Sequence, residues 1–298
     1  MTRPYTASGK RGPGERCYLR FGSSYSDNGH DRDAAYASSL APAGYWNHRF
    51  SDGPIWVDYL QEYLGPKITH LNYAYAGATT NNSIHRTDRP DTGEQMAWYK
   101  EHDYRSDLKP VVAMFTTTND ITVTFKEFNN RTDQHCQDRD VAWSAITRSA
   151  ESLINQLHGL IPEDTSATAP DYLIMPILPV EMAPTSTEIV EGLQTTMDVM
   201  REVTKEYNKI LMRGAQEIAR QLGSRGTVYT YDVPSWFYRM LSYKEDYGLK
   251  SIDTPYTRDN AGRVEDFMWY DGLHLPTHMQ KRLARMAANI IMDVTVMP

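Results

Sequence analysis

The feature that most narrows the fold is a repeated alternation along the chain: a short apolar run, then small or polar residues, then a stretch with helical spacing. The runs are Cys17 to Phe21, Ile68 to Tyr75, Pro110 to Phe115, Tyr172 to Val180 and Thr227 to Tyr231. Between them, Asp140 to Leu160 sets Ile146, Ala150, Leu153 and Leu157 on one helical face. Thr185 to Leu222 reads as one long helix carrying Ile189, Leu193, Met197, Met200, Tyr207, Leu211, Ile218 and Leu222, and it ends at Gly223. The Met and Tyr residues of that stripe read as core. A last helix runs from Pro276 to about Met292, with Met279, Leu283, Met286 and Ile290 as its stripe. Strand and helix in alternation predict a parallel α/β sheet with helices on both faces.

Residues 25–55 and 78–106 are polar and rich in Gly, Asn, Asp and Ser, and they read as loops over the sheet. Neither an internal repeat nor a low-complexity tract divides the chain. The expectation is one domain over 17–298, preceded by an extension, residues 1–16, without ordered structure.

Composition excludes several classes. With 40% hydrophobic and 23% charged residues over 298 positions, the chain can build a substantial globular core. Its formal net charge of −7, without a Lys/Arg cluster, argues against nucleic acid as a partner. No apolar run approaches the roughly 18 residues of a membrane span. The two cysteines, Cys17 and Cys136, exclude a disulfide scaffold; they allow one bridge at most and read first as two lone buried thiols. The first residues are polar and basic, unlike a signal peptide, so the chain as given reads as cytoplasmic, or as secreted if it is a mature form. Two sequons, at Asn81 to Ser83 and Asn130 to Thr132, would suit secretion. Twenty tyrosines and 6 tryptophans suit either a core or a site for polar, ring-shaped ligands.

Four segments can carry chemistry. Phe21 to Gly29 (FGSSYSDNG) places Ser24 just past a strand end, where a tight turn exposes a hydroxyl; read alone, it is a Ser/Gly turn. Asn72 to Thr80 offers Gly77, whose amide a substrate could approach, or simply a turn glycine. In Thr116 to Asp120, Asn119 could donate its side-chain amide to an oxyanion or cap the next helix. Trp269 to Pro276 sets Asp271 three residues before His274, so that the carboxylate can hold one imidazole nitrogen and leave the other free as a base. His274 and His278 are four apart, but Leu275 stands where a metalloprotease helix has glutamate and no third ligand is evident, so neither metal nor cofactor is expected. All four segments fall at C-terminal strand ends or in the last loop, which a doubly wound sheet gathers at one edge.

On these residues the chain resembles the GDSL, or SGNH, hydrolases, and in particular fungal esterases whose first block reads FGDSYSDNG. Arg49 to Leu60 (RFSDGPIWVDYL) is similar to their RFSNGPVWVEYL, and the segments at Ile177 to Val180 and Val228 to Asp232 match in place. The resemblance implies a single-domain three-layer α/β/α sandwich around a mostly parallel, five-stranded sheet of the flavodoxin-like kind. It implies a triad of Ser24, Asp271 and His274, with an oxyanion hole from the N–H groups of Ser24 and Gly77 and the amide of Asn119. The implied activity is hydrolysis of a short-chain, acetyl-like ester of a sugar or small metabolite through an acyl-enzyme. An acyltransferase using the same triad and a non-catalytic ligand-binding relative are the alternatives. Two positions depart from the family: Ser23 replaces the Asp before the nucleophile, and Thr117 replaces the Gly of the third block.

Overall fold

The computed structural model describes residues 16–29, 44–66, 68–102, 109–115, 118–129, 139–259 and 262–292. The expected N-terminal extension up to residue 15, Cys136, the Asn130 sequon and Thr117 lie outside the described residues.

Along the chain the elements are β1 (Arg16–Gly22), α1 (Trp56–Leu64), β2 (Thr69–Asn72), α2 (Thr92–His102), β3 (Lys109–Phe115), α3 (Asn119–Asn129) and α4 (Arg139–His158). They continue with β4 (Asp171–Met175), α5 (Pro184–Ile189), α6 (Gln194–Leu222), β5 (Val228–Thr230), α7 (Val233–Ser242), α8 (Tyr256–Asp259) and α9 (Thr277–Ile291). The five strands form one sheet in the order β2-β1-β3-β4-β5, and every pairing is parallel. This is the flavodoxin-like doubly wound order, with its reversal of direction between β1 and β3.

The sheet is covered on both faces, which is why its central strands read as near-continuous apolar runs. Along β1, Cys17, Leu19 and Phe21 join one core with Val112 and Met114 of β3 and the buried faces of α2, α4 and α6. Tyr18 faces the other way, into a second core with Val111, Ala113 and Phe115 and with α1, α7 and α9. The α/β/α sandwich thus follows from alternation along strands whose two faces both meet helices.

Several boundaries differ from the sequence reading, each for a local reason. β2 stops at Asn72, whose side chain donates to the Ser26 carbonyl (2.7 Å) and accepts from the Ala74 N–H (3.1 Å). β4 stops at Met175, ahead of Pro176, which has no N–H to continue the ladder. The single long helix is two, α5 and α6, because the chain turns through left-handed conformations at Glu191 (φ 51°) and Gly192 (φ 71°). The stretch 78–106, read as loop, contains α2. In α9 the buried face runs through Met279, Leu283, Ala284, Ala287 and Ile291, and Met286 is exposed.

Candidate active site

The site lies where the sheet order reverses, at the C-terminal ends of β1 and β3. Gly22 closes β1 at φ 143°, and a Cβ there would stand 2.8 Å from the Phe115 carbonyl oxygen at the end of β3. Only glycine lets the two strand ends approach this closely before the chain turns. The N–H groups of Ser26 and Asp27 then both donate to the Ser23 carbonyl (2.8 and 2.9 Å), winding the turn that carries Ser24. Trp56, fully buried at the start of α1, donates its indole N–H to Ser26 Oγ (3.1 Å) and braces the turn from below.

Asp271 and His274 meet through the geometry of their own loop. Asp271 Oδ1 accepts from the N–H groups of Leu273 and His274 (2.7 Å each), curling the loop so that the imidazole returns over the carboxylate. Oδ2 then receives His274 Nδ1 at 2.7 Å. On the other edge of the ring, His274 Nε2 lies 2.7 Å from Ser24 Oγ. Residues 250 apart in sequence are thereby joined in one line of hydrogen bonds: Ser24, His274, Asp271.

Burial sets the electrostatics. Removal from water pushes the Asp271 carboxyl up, but the adjacent His274 and the hydrogen bonds from His274, Tyr45 and Leu273 outweigh it and hold the carboxyl well below the usual carboxylate range. Asp271 is therefore ionised wherever the protein is folded near neutrality, and His274 Nδ1 carries the proton that it accepts. His278, the second histidine of the pair, is held by a hydrogen bond between its Nε2 and the Phe267 carbonyl (3.1 Å), with burial lowering its pKa.

Gly77 and Asn119 are drawn to the same edge. Gly77 (φ 84°) occupies a turn closed by the Ala78 N–H on the Tyr75 carbonyl (3.0 Å). That turn is tied to the Ser24 turn twice: Tyr75 N–H donates to the Gly22 carbonyl (3.1 Å) and Ala76 N–H to Asp27 Oδ2 (2.9 Å). Asn119 opens α3 and donates one amide N–H to the Ala78 carbonyl (2.8 Å), which leaves its second N–H for another acceptor. Its neighbour Asp120, fully buried, takes the N–H and hydroxyl of Thr80 (2.9 and 2.6 Å) and so locks the Gly77 loop to the start of α3. Among the described residues, the N–H groups of Ser24 and Gly77 meet no acceptor.

Several further residues support these groups, and Gln95 among them escaped the sequence reading. Gln95 of α2, almost fully buried, accepts from the Gly22 N–H and donates to the Gly22 carbonyl, both at 2.9 Å. Tyr45 donates its hydroxyl to Asp271 Oδ2 at 2.6 Å. Arg49 is scaffold, paired through two nitrogens with Asp58 (3.1 and 2.9 Å). Ser23 is fully buried, and its hydroxyl has no partner among the described residues.

A hydroxyl, an imidazole and a carboxylate in one hydrogen-bonded line form the constellation that serine hydrolases use on several unrelated folds. The family described as GDSL-like Lipase/Acylhydrolase matches residues 18–286, and the chain belongs to that family. Over 285 aligned residues it is 22% identical to the anther-specific proline-rich protein APG of Brassica napus, covering 78% of this chain. The chain spans 60% of the length of that relative. Est24, a carbohydrate acetylesterase from Sinorhizobium meliloti, shares the fold with a TM-score of 0.50 at 14% identity, over 94% of this chain and 100% of that one. The native aryl esterase of M. smegmatis superposes with a TM-score of 0.49 at 16% identity, over 94% of this chain and 99% of that one. Among the described residues, no helix is long and apolar enough to cross a membrane.

Proposed function

We propose that the protein is a serine esterase that cleaves short-chain, acetyl-like esters of a sugar or small metabolite through an acyl-enzyme on Ser24. The observation that carries this reading is the unbroken line from Ser24 Oγ to His274 Nε2 and from His274 Nδ1 to Asp271 Oδ2, each step 2.7 Å. In the first half-reaction His274 takes the hydroxyl proton as Ser24 Oγ bonds to the ester carbonyl carbon. Asp271, already ionised, stabilises the imidazolium and fixes its tautomer. The negative charge that moves onto the carbonyl oxygen is met by the N–H groups of Ser24 and Gly77 and the second amide N–H of Asn119. A donor of this kind is worth about 3–4 kcal/mol in the transition state. His274 returns the proton to the departing alkoxide, and water, deprotonated by the same imidazole, releases the acid and restores Ser24.

Ser24 and His274 are buried and the Asp271 side chain is largely so, which suits a reaction that develops charge away from water. A carbohydrate acetylesterase shares the fold, which makes acetylated sugars the first natural esters to try. We expect turnover of p-nitrophenyl acetate to exceed that of longer acyl esters, and Ser24→Ala to abolish it. Equal turnover by Ser24→Ala would end the assignment. A wild-type protein inert toward every acyl length would instead favour a ligand-binding relative.

A further inference from the structure

Among the described residues Asp271 has four donors, and three of them come from its own loop: the N–H groups of Leu273 and His274 on Oδ1, and His274 Nδ1 on Oδ2. The fourth is the Tyr45 hydroxyl, 226 residues earlier in the chain, which reaches the same Oδ2 that holds the imidazole. Tyr45 belongs to a strap over residues 44–53 that is built to keep it there. The Tyr270 hydroxyl donates to the Gly44 carbonyl (2.7 Å), and the Tyr45 ring meets Tyr270 edge-on at 5.4 Å. Trp46 N–H closes on the Ser51 carbonyl (2.9 Å), and Arg49 pins the strap to Asp58. Between these anchors, Asn47 (φ 41°) and His48 (φ 67°) are held in left-handed backbone that non-glycine residues rarely adopt. Strain of this kind persists only where the surroundings over-determine it. Phe50, from the same strap, packs on Tyr45 (5.5 Å) and on the His274 ring (5.0 Å), and Tyr25 packs on that ring as well (5.4 Å).

We propose that Tyr45 is a positioning residue for the Asp271–His274 pair, fixing the carboxylate and drawing part of its charge away from the imidazole. This rests on the esterase reading of Ser24, His274 and Asp271. Two donors on one oxygen divide its negative charge. With the Tyr45 hydroxyl present, His274 Nδ1 therefore feels a weaker acceptor, and the imidazolium is less favoured. The hydroxyl stays a donor over the working pH range, because burial first and the Asp271 charge second push the phenol's pKa up. Among the described residues, the phenols of Tyr25 and Tyr270 also feel the Asp271 charge, and Tyr270 in turn faces Asp52 and Tyr256. Removing the Tyr45 hydroxyl should then make His274 more basic, so that protonation disables the base up to a higher pH.

The test is Tyr45→Phe, compared with wild type and with Tyr270→Phe, which loses the strap hydrogen bond to the Gly44 carbonyl and leaves the hydrogen bonds on Asp271 in place. Profiles of kcat/KM against pH with p-nitrophenyl acetate should show the acid limb of Tyr45→Phe about half a pH unit higher, roughly a threefold change in the His274 protonation constant. Its plateau kcat should fall about three- to tenfold with KM within about twofold, since the lost bond orients the base and does not bind substrate. In Tyr270→Phe the acid limb should stay in place. The His274 ring titration followed by NMR reads the same shift without turnover and shows that the variant is folded. An acid limb and an NMR titration unmoved in Tyr45→Phe would overturn the proposal, and so would equal shifts in both variants. Activity that survives Ser24→Ala would count against the esterase reading alone, and the NMR titration would still decide for or against Tyr45.

Discussion

Gln95 should be worth more to this protein than a polar residue on a helix ordinarily is. Its amide oxygen accepts from the Gly22 N–H, and its amide nitrogen donates to the carbonyls of Gly22 (2.9 Å) and Pro90 (3.3 Å). In Gln95→Leu the Gly22 carbonyl keeps a donor in Tyr75 N–H, but the Gly22 N–H is left buried and unpaired. An orphaned buried donor costs about 1–3 kcal/mol, and the better burial of leucine offsets only part of it. We expect a net loss of about 1–2 kcal/mol in urea unfolding at pH 7, with turnover falling about tenfold because Gly22 fixes the turn that presents Ser24.

Gln95→Glu sharpens the test. At neutral pH the introduced carboxylate would face two carbonyl oxygens in a buried slot, so its pKa should rise above the unfolded value of about 4.3. A group whose folded pKa is raised has its stabilising form, here the protonated acid, fully present below the unfolded pKa and lost as pH rises through the folded pKa. The deficit of Gln95→Glu relative to wild type should therefore be larger at pH 7 than the deficit of Gln95→Leu, and it should shrink toward pH 4. The reasoning fails if Gln95→Leu stays within about 0.5 kcal/mol of wild type with normal turnover, or if the Gln95→Glu deficit is independent of pH.

Two further outcomes follow from the same geometry. Ser23→Ala should be neutral or stabilising by up to about 1 kcal/mol in thermal unfolding, because it removes a buried hydroxyl that has no partner among the described residues; a clear loss would show that the hydroxyl is bonded. In Asp271→Asn the two N–H groups of residues 273 and 274 still need an oxygen, so the amide nitrogen would face His274 Nδ1 and force the wrong tautomer. Turnover should fall on the order of 10³–10⁴-fold. Because the Asp271 pKa is depressed on folding, its contribution to stability is present above the unfolded value of about 3.9 and lost as pH falls below it. Asp271→Asn should accordingly flatten the acid side of the stability profile measured by urea unfolding between pH 7 and pH 3.

Much of the fold was legible because its signals are local. The short apolar runs at β3 and β4, bounded by small and polar residues, read as strands buried on both faces, and the Ile146–Ala150–Leu153–Leu157 stripe is the buried face of α4. The Asp271–His274 spacing was legible for a similar reason, since the carboxylate organises the turn that returns the imidazole to it. Helix α2 was hidden because half of its buried positions, Thr92 and Gln95, are polar and are satisfied by distant partners, so no apolar period marks the helix. The division of α5 from α6 did carry a signal, Gly192, which the strong stripe on either side masked. The partner of Tyr45 was hidden: nothing within a window of sequence tells that a loop tyrosine will meet an aspartate 226 residues later.

The most direct test is whether Ser24 becomes covalently modified with His274 as its base. An activated alkyl phosphonate should add once to the wild-type protein, shifting the intact mass by one phosphonyl group, and peptide mapping should place it on Ser24. Ser24→Ala should remain unlabelled, and His274→Ala should label at least about a hundredfold more slowly. Labelling that persists in Ser24→Ala, or that proceeds at the wild-type rate in His274→Ala, would contradict the esterase reading.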